Sequence, residues 1–261
     1  MVLSVGLRTM EVKRMINQET TKKLIEMRLT AMAEAFRTQL SNKDFYSLSF
    51  EERFGMMVDI EWSRRKSNHL GKLIKYANFQ QPQASIEDIE YIADRELDKS
   101  LILRLSEGTY IQEKNNVVIL GSTGSGKTYI ACALGVSACR KLYSVKYIRL
   151  PDLINELAFA RGQGIYPKVI KQYKKLALLI IDEWLLTELN ASEARDLLDI
   201  IDGRHQTGST IFCSQFAPVG WHDKIGEGTL SEAILDRIVH NSYMIMIESK
   251  ESMRKRKGIK D

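Results

Sequence analysis

Cysteine is scarce in this sequence of 261 residues, and the three that occur do not form the paired spacings of a metal site. A sparse and odd number of cysteines indicates a reducing compartment, so we expect a cytoplasmic protein. Cys132 and Cys139 lie seven residues apart in one helical stretch, and that spacing favours packing in a core.

Long apolar runs are also missing. None approaches the roughly 18–20 residues that a membrane-spanning helix needs, so we expect no membrane partner. The N-terminus has a short apolar patch without a cleavage site, which argues against a secretory signal. Neither repeats nor low-complexity tracts occur. A composition of 44% apolar and 27% charged residues is typical of a globular protein, and the net charge of +5 hints at a nucleic-acid partner.

The first third of the chain has only helical periodicity, from about Asn17 to Ile92. One apolar helix face is predicted from the spacing of Leu24, Met27, Ala31 and Ala35. A further helix is predicted to begin after Ser49, because Glu52 follows at the spacing of a capping box.

The helical pattern weakens near Pro82, and we predict a linker over residues 78–86. The interpretation is a helical N-terminal domain over residues 15–80 and a second domain over residues 81–261. Met15 is a candidate second start site, and residues 1–14 are interpreted as an extension that need not be ordered.

The second domain alternates between strand-like and helix-like segments. The strand-like runs are nearly all apolar, as in strands that are buried on both faces. They are Asn116–Leu120, Val145–Leu150, Ala177–Ile181, Thr210–Cys213 and Tyr243–Ile247. This alternation predicts an α/β fold with a parallel sheet covered by helices on both faces.

A glycine-rich loop follows the first of these strands and precedes a helix. It fits the G-x-x-x-x-G-K-[ST] phosphate-binding pattern without a gap. Its residues are Gly121, Ser122, Thr123, Gly124, Ser125, Gly126, Lys127 and Thr128. Lys127 is predicted to reach the β- and γ-phosphates of a nucleotide such as ATP, and the Thr128 hydroxyl to bind Mg²⁺.

Two acids, Asp182 and Glu183, come directly after the third strand. In parallel α/β sheets this carboxyl end of the strands is where ligands bind. We predict that Asp182 holds Mg²⁺ through water and that Glu183 orients and polarises the attacking water.

Two further features complete the predicted catalytic set. The fourth strand ends in the polar residues Ser214 and Gln215, and a polar side chain here, between the first and third strands, would sense the γ-phosphate. A simple turn after a core strand is the alternative interpretation. Arg237 lies on a predicted helix. It is interpreted either as an ion-pair partner of Asp236 or another acid, or as an arginine finger that reaches a neighbouring subunit's nucleotide.

The order of the phosphate loop, "IIDEW", "STIFCSQFAPVGWHDKIG", "LSEAILDRIVH" and "ESMRKRKG" resembles the IstB-type ATPases of insertion sequences, relatives of the DnaC and DnaI helicase loaders. The resemblance implies an AAA+ fold without a large lid. It implies that Arg237 is the arginine finger, Gln215 the sensor-1 residue and Arg254 the sensor-2 residue. The activity it implies is ATP-dependent self-association on DNA, which helps a separate transposase to select and prepare its target.

Three stretches carry basic residues without nearby acids, and each is a candidate surface for the phosphates of double-stranded DNA. The first contains Arg64, Arg65, Lys66, Lys72 and Lys75. The second, which we favour, contains Arg161, Lys168, Lys171, Lys174 and Lys175. The third contains Lys250, Arg254, Lys255, Arg256, Lys257 and Lys260. A solvated charged face is the alternative interpretation for each stretch.

Two other functions remain open at this stage. A replicative helicase loader would share every catalytic residue and would differ in the partner of its N-terminal helices. A metabolic kinase with a phosphate loop is disfavoured, because it needs a second substrate pocket and has no use for Arg237 in another subunit.

Overall fold

A computed structural model describes residues 2–226, 228–248 and 253. The chain forms two compact units, Met1–Gly71 and Lys72–Asp261. None of the helices in the described part of the chain combines the length and the apolar composition that crossing a bilayer requires.

The first unit consists of helices. They are α1 (Val2–Glu26), α2 (Thr30–Ser41), a 3-10 segment (Lys43–Ser47) and α3 (Phe50–Ala77), which continues into the second unit. α1 thus includes most of the residues interpreted as an extension. The prediction of one apolar face across Leu24 to Ala35 is wrong. Arg28 has a left-handed backbone (φ 61°), so α1 ends before α2 begins, and Met27 between them is exposed.

A buried carboxylate joins α2 to α3. Glu61 of α3 accepts hydrogen bonds from the backbone N–H groups of Ala31 and Met32 at 2.9 and 3.1 Å. It thereby satisfies donors of the first turn of α2, which have no partner inside the helix. Arg65 donates to the same carboxylate at 2.7 Å, and this contact lowers the pKa of Glu61.

The predicted start of α3 is confirmed. The Glu52 carboxylate accepts from the Ser49 N–H at 2.8 Å, and the Ser49 hydroxyl accepts from the Glu52 N–H at 3.2 Å, which is a complete capping box. α3 continues through Gly71 and ends at Ala77, directly before the predicted linker.

The second unit contains a parallel sheet with helices around it, as predicted. Its helices are α4 (Lys99–Ser106), α5 (Thr109–Gln112), α6 (Lys127–Arg140), α7 (Leu150–Gly162), α8 (Tyr166–Lys175), α9 (Ala191–Arg204), α10 (Trp221–Ile225) and α11 (Thr229–Val239), with 3-10 segments at Ala93–Arg95 and Pro218–Gly220. Its strands are β1 (Asn116–Gly121), β2 (Val145–Arg149), β3 (Leu178–Asp182), β4 (Ser209–Ser214) and β5 (Ser242–Ile247). Leu150 was predicted to end β2 but begins α7, because Pro151 suits the first turn of a helix.

All five strands are parallel, and their order is β2-β3-β4-β1-β5. The register pairs Arg149 with Asp182 and Leu120 with Ser214. One edge of the sheet therefore contains the carboxyl ends of four strands, β1, β2, β3 and β4. The phosphate loop and the two acids follow the strands at this edge. The described residues include no large helical lid, as expected.

The two faces of the sheet bury different side chains. Val118, Leu120 and Phe212 pack with α7, α8, α9 and α11 in one apolar cluster. On the other face α6 lies against the sheet, and it buries Cys132 and Cys139 as the sequence predicts.

Gly135 of α6 allows a close approach on that second face. A Cβ at this position would lie 2.5 Å from the Phe79 ring and 2.8 Å from the Ile180 side chain.

We expect Gly135→Ala to lower the free energy of unfolding by about 1–3 kcal/mol, because buried neighbours would have to move. Gly55→Ala on α3 is the matched control, since nothing lies within 4 Å of its added methyl. The control should be neutral or stabilising by up to about 1 kcal/mol in denaturant unfolding. Equal effects of the two substitutions would contradict this packing.

Candidate functional site

The phosphate loop has the backbone of an anion cradle. Gly124 and Gly126 have left-handed φ angles of 79° and 96°, which other residues rarely adopt. A Cβ at Gly126 would lie 2.9 Å from the Arg95 guanidinium, so a side chain would also fill the space. α6 begins directly at Lys127, and the N-terminal end of a helix attracts anions. These features fit the triphosphate of ATP.

The ammonium group of Lys127 is held above the loop. Its Nζ donates to the carbonyl oxygens of Gly121 and Ser122, both at 2.8 Å. The positive charge of Lys127 therefore lies where the predicted phosphates would bind.

Asp182 is buried at the carboxyl end of β3, with 4% of its surface exposed. Its Oδ2 accepts from the Thr128 hydroxyl at 2.6 Å, and its Oδ1 accepts from the Glu183 N–H at 2.8 Å. A carboxylate and a hydroxyl are oxygen ligands of the kind that Mg²⁺ prefers. The residues present therefore fit the predicted magnesium site.

Glu183 lies at a turn with an unusual backbone. Its φ is 54°, a left-handed conformation that is uncommon for a residue with a side chain and clusters at functional positions. The turn directs Asp182 inwards and leaves the Glu183 side chain 38% exposed. Its Oε1 lies 3.9 Å from the guanidinium of Arg149, at the end of the neighbouring strand β2.

Gln215 reaches the phosphate loop from β4. The Thr123 hydroxyl donates to its Oε1 at 2.9 Å. β4 lies between β1 and β3, which confirms the position predicted for this side chain. Five of the sequence-predicted residues thus lie around one edge of the sheet: Lys127, Thr128, Asp182, Glu183 and Gln215.

Three neutral groups lie near the Asp182 carboxylate: Tyr147, Cys132 and Cys213. Burial and the nearby Asp182 charge raise the pKa of the Tyr147 hydroxyl well above its usual value. Burial raises the pKa of the Cys132 thiol to about 12, and it raises the pKa of Cys213 as well. Asp182 is therefore next to protonated groups, which do not compete with it for a cation.

A cavity of about 240 Å³ adjoins the phosphate loop. The side chains that extend it beyond the loop are Gln81, Asp88, Ile89, Glu90, Arg95 and Tyr129. Most of them come from the segment that follows the predicted linker, and the sequence contains no motif that could have identified them. Met253 also lines the cavity, and its N–H donates to the Gly124 carbonyl at 2.9 Å.

Arg237 is not part of this group. Its Nε donates to Asp202 of α9 at 2.8 Å, and its carbonyl oxygen lies 3.4 Å from the Asn116 amide at the start of β1. Asp236, the acid considered from the sequence, pairs with His240 instead. Arg254 and the C-terminal basic residues lie outside the described residues.

The expectation that the first two basic stretches lack nearby acids is wrong. Acids that are distant in sequence pair with several of the bases. Arg64 pairs with Glu34, Arg65 with Glu61, Arg161 with Asp196, and Lys174 with Asp199. Lys66 instead lies 4.9 Å above the Trp62 ring.

The remaining bases of the second stretch share one face of α8. Val169, Ile170 and Tyr173 are buried, whereas Lys168, Lys171 and Lys175 are exposed. Among the described residues, no acid lies within ion-pair distance of these three lysines.

A parallel sheet of this order, with a phosphate loop after β1 and an acid at the end of β3, has the fold of a P-loop nucleotide-binding domain. The IstB-like ATP binding protein family matches residues 22–260, so the chain belongs to that family. It is 41% identical over 241 residues to a Sinorhizobium fredii protein named as an insertion sequence ATP-binding protein. That similarity covers 92% of this chain and 98% of the relative.

Solved structures support the fold. DnaA from Aquifex aeolicus, solved with bound AMPPCP, has a TM-score of 0.57 at 20% identity and covers 68% of this chain and 54% of its own. DnaI has a TM-score of 0.53 at 22% identity and covers 66% of this chain and 91% of its own. At these identities the likeness concerns the fold alone.

The contacts of Lys127 lead to a direct prediction. Lys127→Ala should lower the affinity for ATP on the order of 100-fold or more, because hydrogen bonds from an ionised donor to phosphate are lost. Lys141→Ala, directly after the other end of α6, removes the same charge and should leave the affinity unchanged. Titration with a fluorescent ATP analogue measures both. Equal nucleotide affinity in Lys127→Ala and the parent would rule out the assignment of the phosphate loop.

Proposed function

We propose that this chain is an ATPase that self-associates on double-stranded DNA in an ATP-dependent manner and helps a transposase to select and remodel its target. The family match and the insertion-sequence names of its relatives support a role in transposition. A helicase loader would use the same ATPase residues, and the likeness to DnaI concerns only the fold.

The observation that carries this proposal is the separation of Arg237 from the phosphate loop. Arg237 lies beside Asn116 at the start of β1, whereas the loop begins at Gly121 at its end. Five residue steps of a strand span roughly 16 Å. An arginine finger at this position serves the nucleotide of a neighbouring subunit rather than its own.

ATP at such an interface would control association. The phosphate loop of one subunit and Arg237 of the next both contact the nucleotide, so the γ-phosphate stabilises the contact between them. Hydrolysis removes that contact. The nucleotide therefore determines how long an assembly persists on DNA.

The residues at the sheet edge suit hydrolysis. Bound Mg²⁺ supplies charge neutralisation at the phosphate oxygens, and Thr128 and Asp182 are the residues that would hold it. Glu183 orients and polarises the attacking water. Lys127 binds the phosphates, Gln215 senses the γ-phosphate, and Arg254 contributes as the sensor-2 residue.

The DNA surface is best supported on α8. Lys168, Lys171 and Lys175 lie on one exposed face and have no ion-pair partner within the part of the chain that the structure describes. Arg161 and Lys174 pair with acids of α9. Successive subunits would align these lysines along a duplex, and many weak phosphate contacts would act as one multivalent contact. DNA would in turn stabilise the assembly, because coupling between two ligands is reciprocal.

The arginine finger is tested by subunit mixing. Arg237→Ala should bind ATP with nearly parental affinity and hydrolyse it on the order of 10³-fold more slowly. Mixing it with Lys127→Ala should restore part of the turnover, because at some interfaces each subunit supplies what the other lacks. Asp202→Asn is the matched control, since it removes the acid that holds Arg237 and leaves the finger in place. Parental turnover in Arg237→Ala would refute the assignment.

Control of DNA binding by ATP is tested in a Glu183→Gln background, which should bind ATP and not hydrolyse it. With ATP this variant should bind duplex DNA tightly and with strong salt dependence, and with ADP only weakly. A triple variant with alanine at Lys168, Lys171 and Lys175 tests the α8 surface. Each lost phosphate contact should reduce the slope of log affinity against log salt concentration by roughly 0.9, so the variant should lose up to about three per subunit.

A triple variant of equal charge is the control for the α8 lysines. It carries alanine at Lys22, Lys23 and Lys43, which lie outside the basic stretches. Its DNA affinity and salt slope should stay parental. Equal DNA affinity with ATP and ADP would refute the proposed function, whereas equal losses in the two triple variants would refute only the α8 surface.

A further inference from the structure

Tyr147 of β2 contacts the candidate metal-binding carboxylate, although nothing in its sequence context singled it out. Its side chain is buried, and its hydroxyl oxygen lies 2.8 Å from Asp182 Oδ2. The same hydroxyl oxygen lies 2.8 Å from the side-chain amide of Gln80, in the segment after α3.

The direction of these hydrogen bonds follows from the number of protons. A tyrosine hydroxyl carries one proton, and the ionised carboxylate can only accept. Tyr147 therefore donates to Asp182. Gln80 has its Oε1 towards the same hydroxyl, and turning the amide by 180° places the NH₂ group there as the donor that the hydroxyl oxygen can accept from. An ordinary tyrosine hydroxyl is protonated at neutral pH, so this donor is available to Asp182.

The segment that carries Gln80 is itself held against other parts of the second unit. The Phe79 ring lies against α6 and β3 beside Gly135 and Ile180. The Ser85 N–H donates to the hydroxyl of Tyr129, which follows the phosphate loop, at 3.3 Å. Contacts on both sides of Gln80 therefore fix the position of its amide.

We infer that Tyr147 is a positioning residue for the metal-binding carboxylate of Asp182, and that Gln80 links this function to the segment after α3. Unlike Thr128, Tyr147 donates to Asp182 without being a candidate metal ligand itself. It restrains one carboxylate oxygen while the cation binds. The inference rests on the proposed use of Mg²⁺ and ATP.

The test measures nucleotide binding as a function of Mg²⁺ rather than turnover. Tyr147→Phe keeps the buried ring and removes only the donor. We expect the Mg²⁺ concentration for half-maximal tightening of a fluorescent ATP analogue to rise about 10-fold, since lost hydrogen bonds to metal-binding groups cost 10- to 100-fold in metal affinity. Affinity for the analogue in EDTA and the thermal midpoint without nucleotide should stay close to parental.

Tyr173→Phe is a closely matched control. Tyr173 is also buried and its hydroxyl also donates to a carboxylate at 2.8 Å, but that acid is Glu156, outside the candidate site. Its Mg²⁺ dependence should equal that of the parent. A common shift in both variants would indicate a general packing effect and overturn the inference.

Gln80→Ala provides a second variant that does not alter the core, because Gln80 is exposed. It should shift the Mg²⁺ dependence in the same direction by a smaller factor, roughly two- to threefold, and should add little to Tyr147→Phe in the double variant. A parental Mg²⁺ dependence in Tyr147→Phe, or in Gln80→Ala should the first variant fail to fold, overturns the inference. If the parent itself binds the nucleotide without any effect of Mg²⁺, the proposed function fails instead.

Discussion

The candidate nucleotide site of the second unit is built around one buried carboxylate. Asp182 is surrounded by protein, and a charge in that position is costly unless donors compensate it. Thr128 brings the end of the phosphate loop to it, Tyr147 brings the neighbouring strand, and its own turn supplies the Glu183 N–H. The hydrogen bonds that this carboxylate accepts also bring together the parts of the candidate catalytic site. The same contacts therefore compensate the buried charge and assemble the site.

The two ends of β1 carry different parts of the proposed interface between subunits. The phosphate loop leaves the carboxyl end, and Arg237 lies near the amino end, where Asp202 holds its guanidinium. Subunits that associate so that one end meets the other would complete each nucleotide site with a residue from a neighbour. Arg237 would then exchange Asp202 for a γ-phosphate, one negatively charged partner for another. In the proposed assembly this geometry would connect ATP to self-association, and self-association to the alignment of the α8 lysines along DNA.

Local patterns in the sequence predict much of the fold of the second unit and most of the candidate site. The phosphate loop, the acids after β3 and the position of Gln215 follow from short motifs placed at the ends of apolar strands, and the sheet confirms their common edge. Features that arise from tertiary contacts were missed. Arg161 and Asp196 are 35 residues apart, so no local pattern shows their pairing. The break between α1 and α2 contains no glycine or proline and depends on the left-handed Arg28. Tyr147 acquires its contact with Asp182 only when β2 pairs with β3.

If ATP drives self-association on DNA, the mass of the particles in solution must depend on the nucleotide. Light scattering of the purified protein should be recorded with ATP, with ADP and without nucleotide, each with and without duplex DNA. We expect small species without ATP, larger ones with ATP, and the largest with ATP and DNA together. Arg237→Ala should stay small under all conditions. A monomer in every condition, or equal masses with ATP and ADP, would rule out ATP-driven self-association.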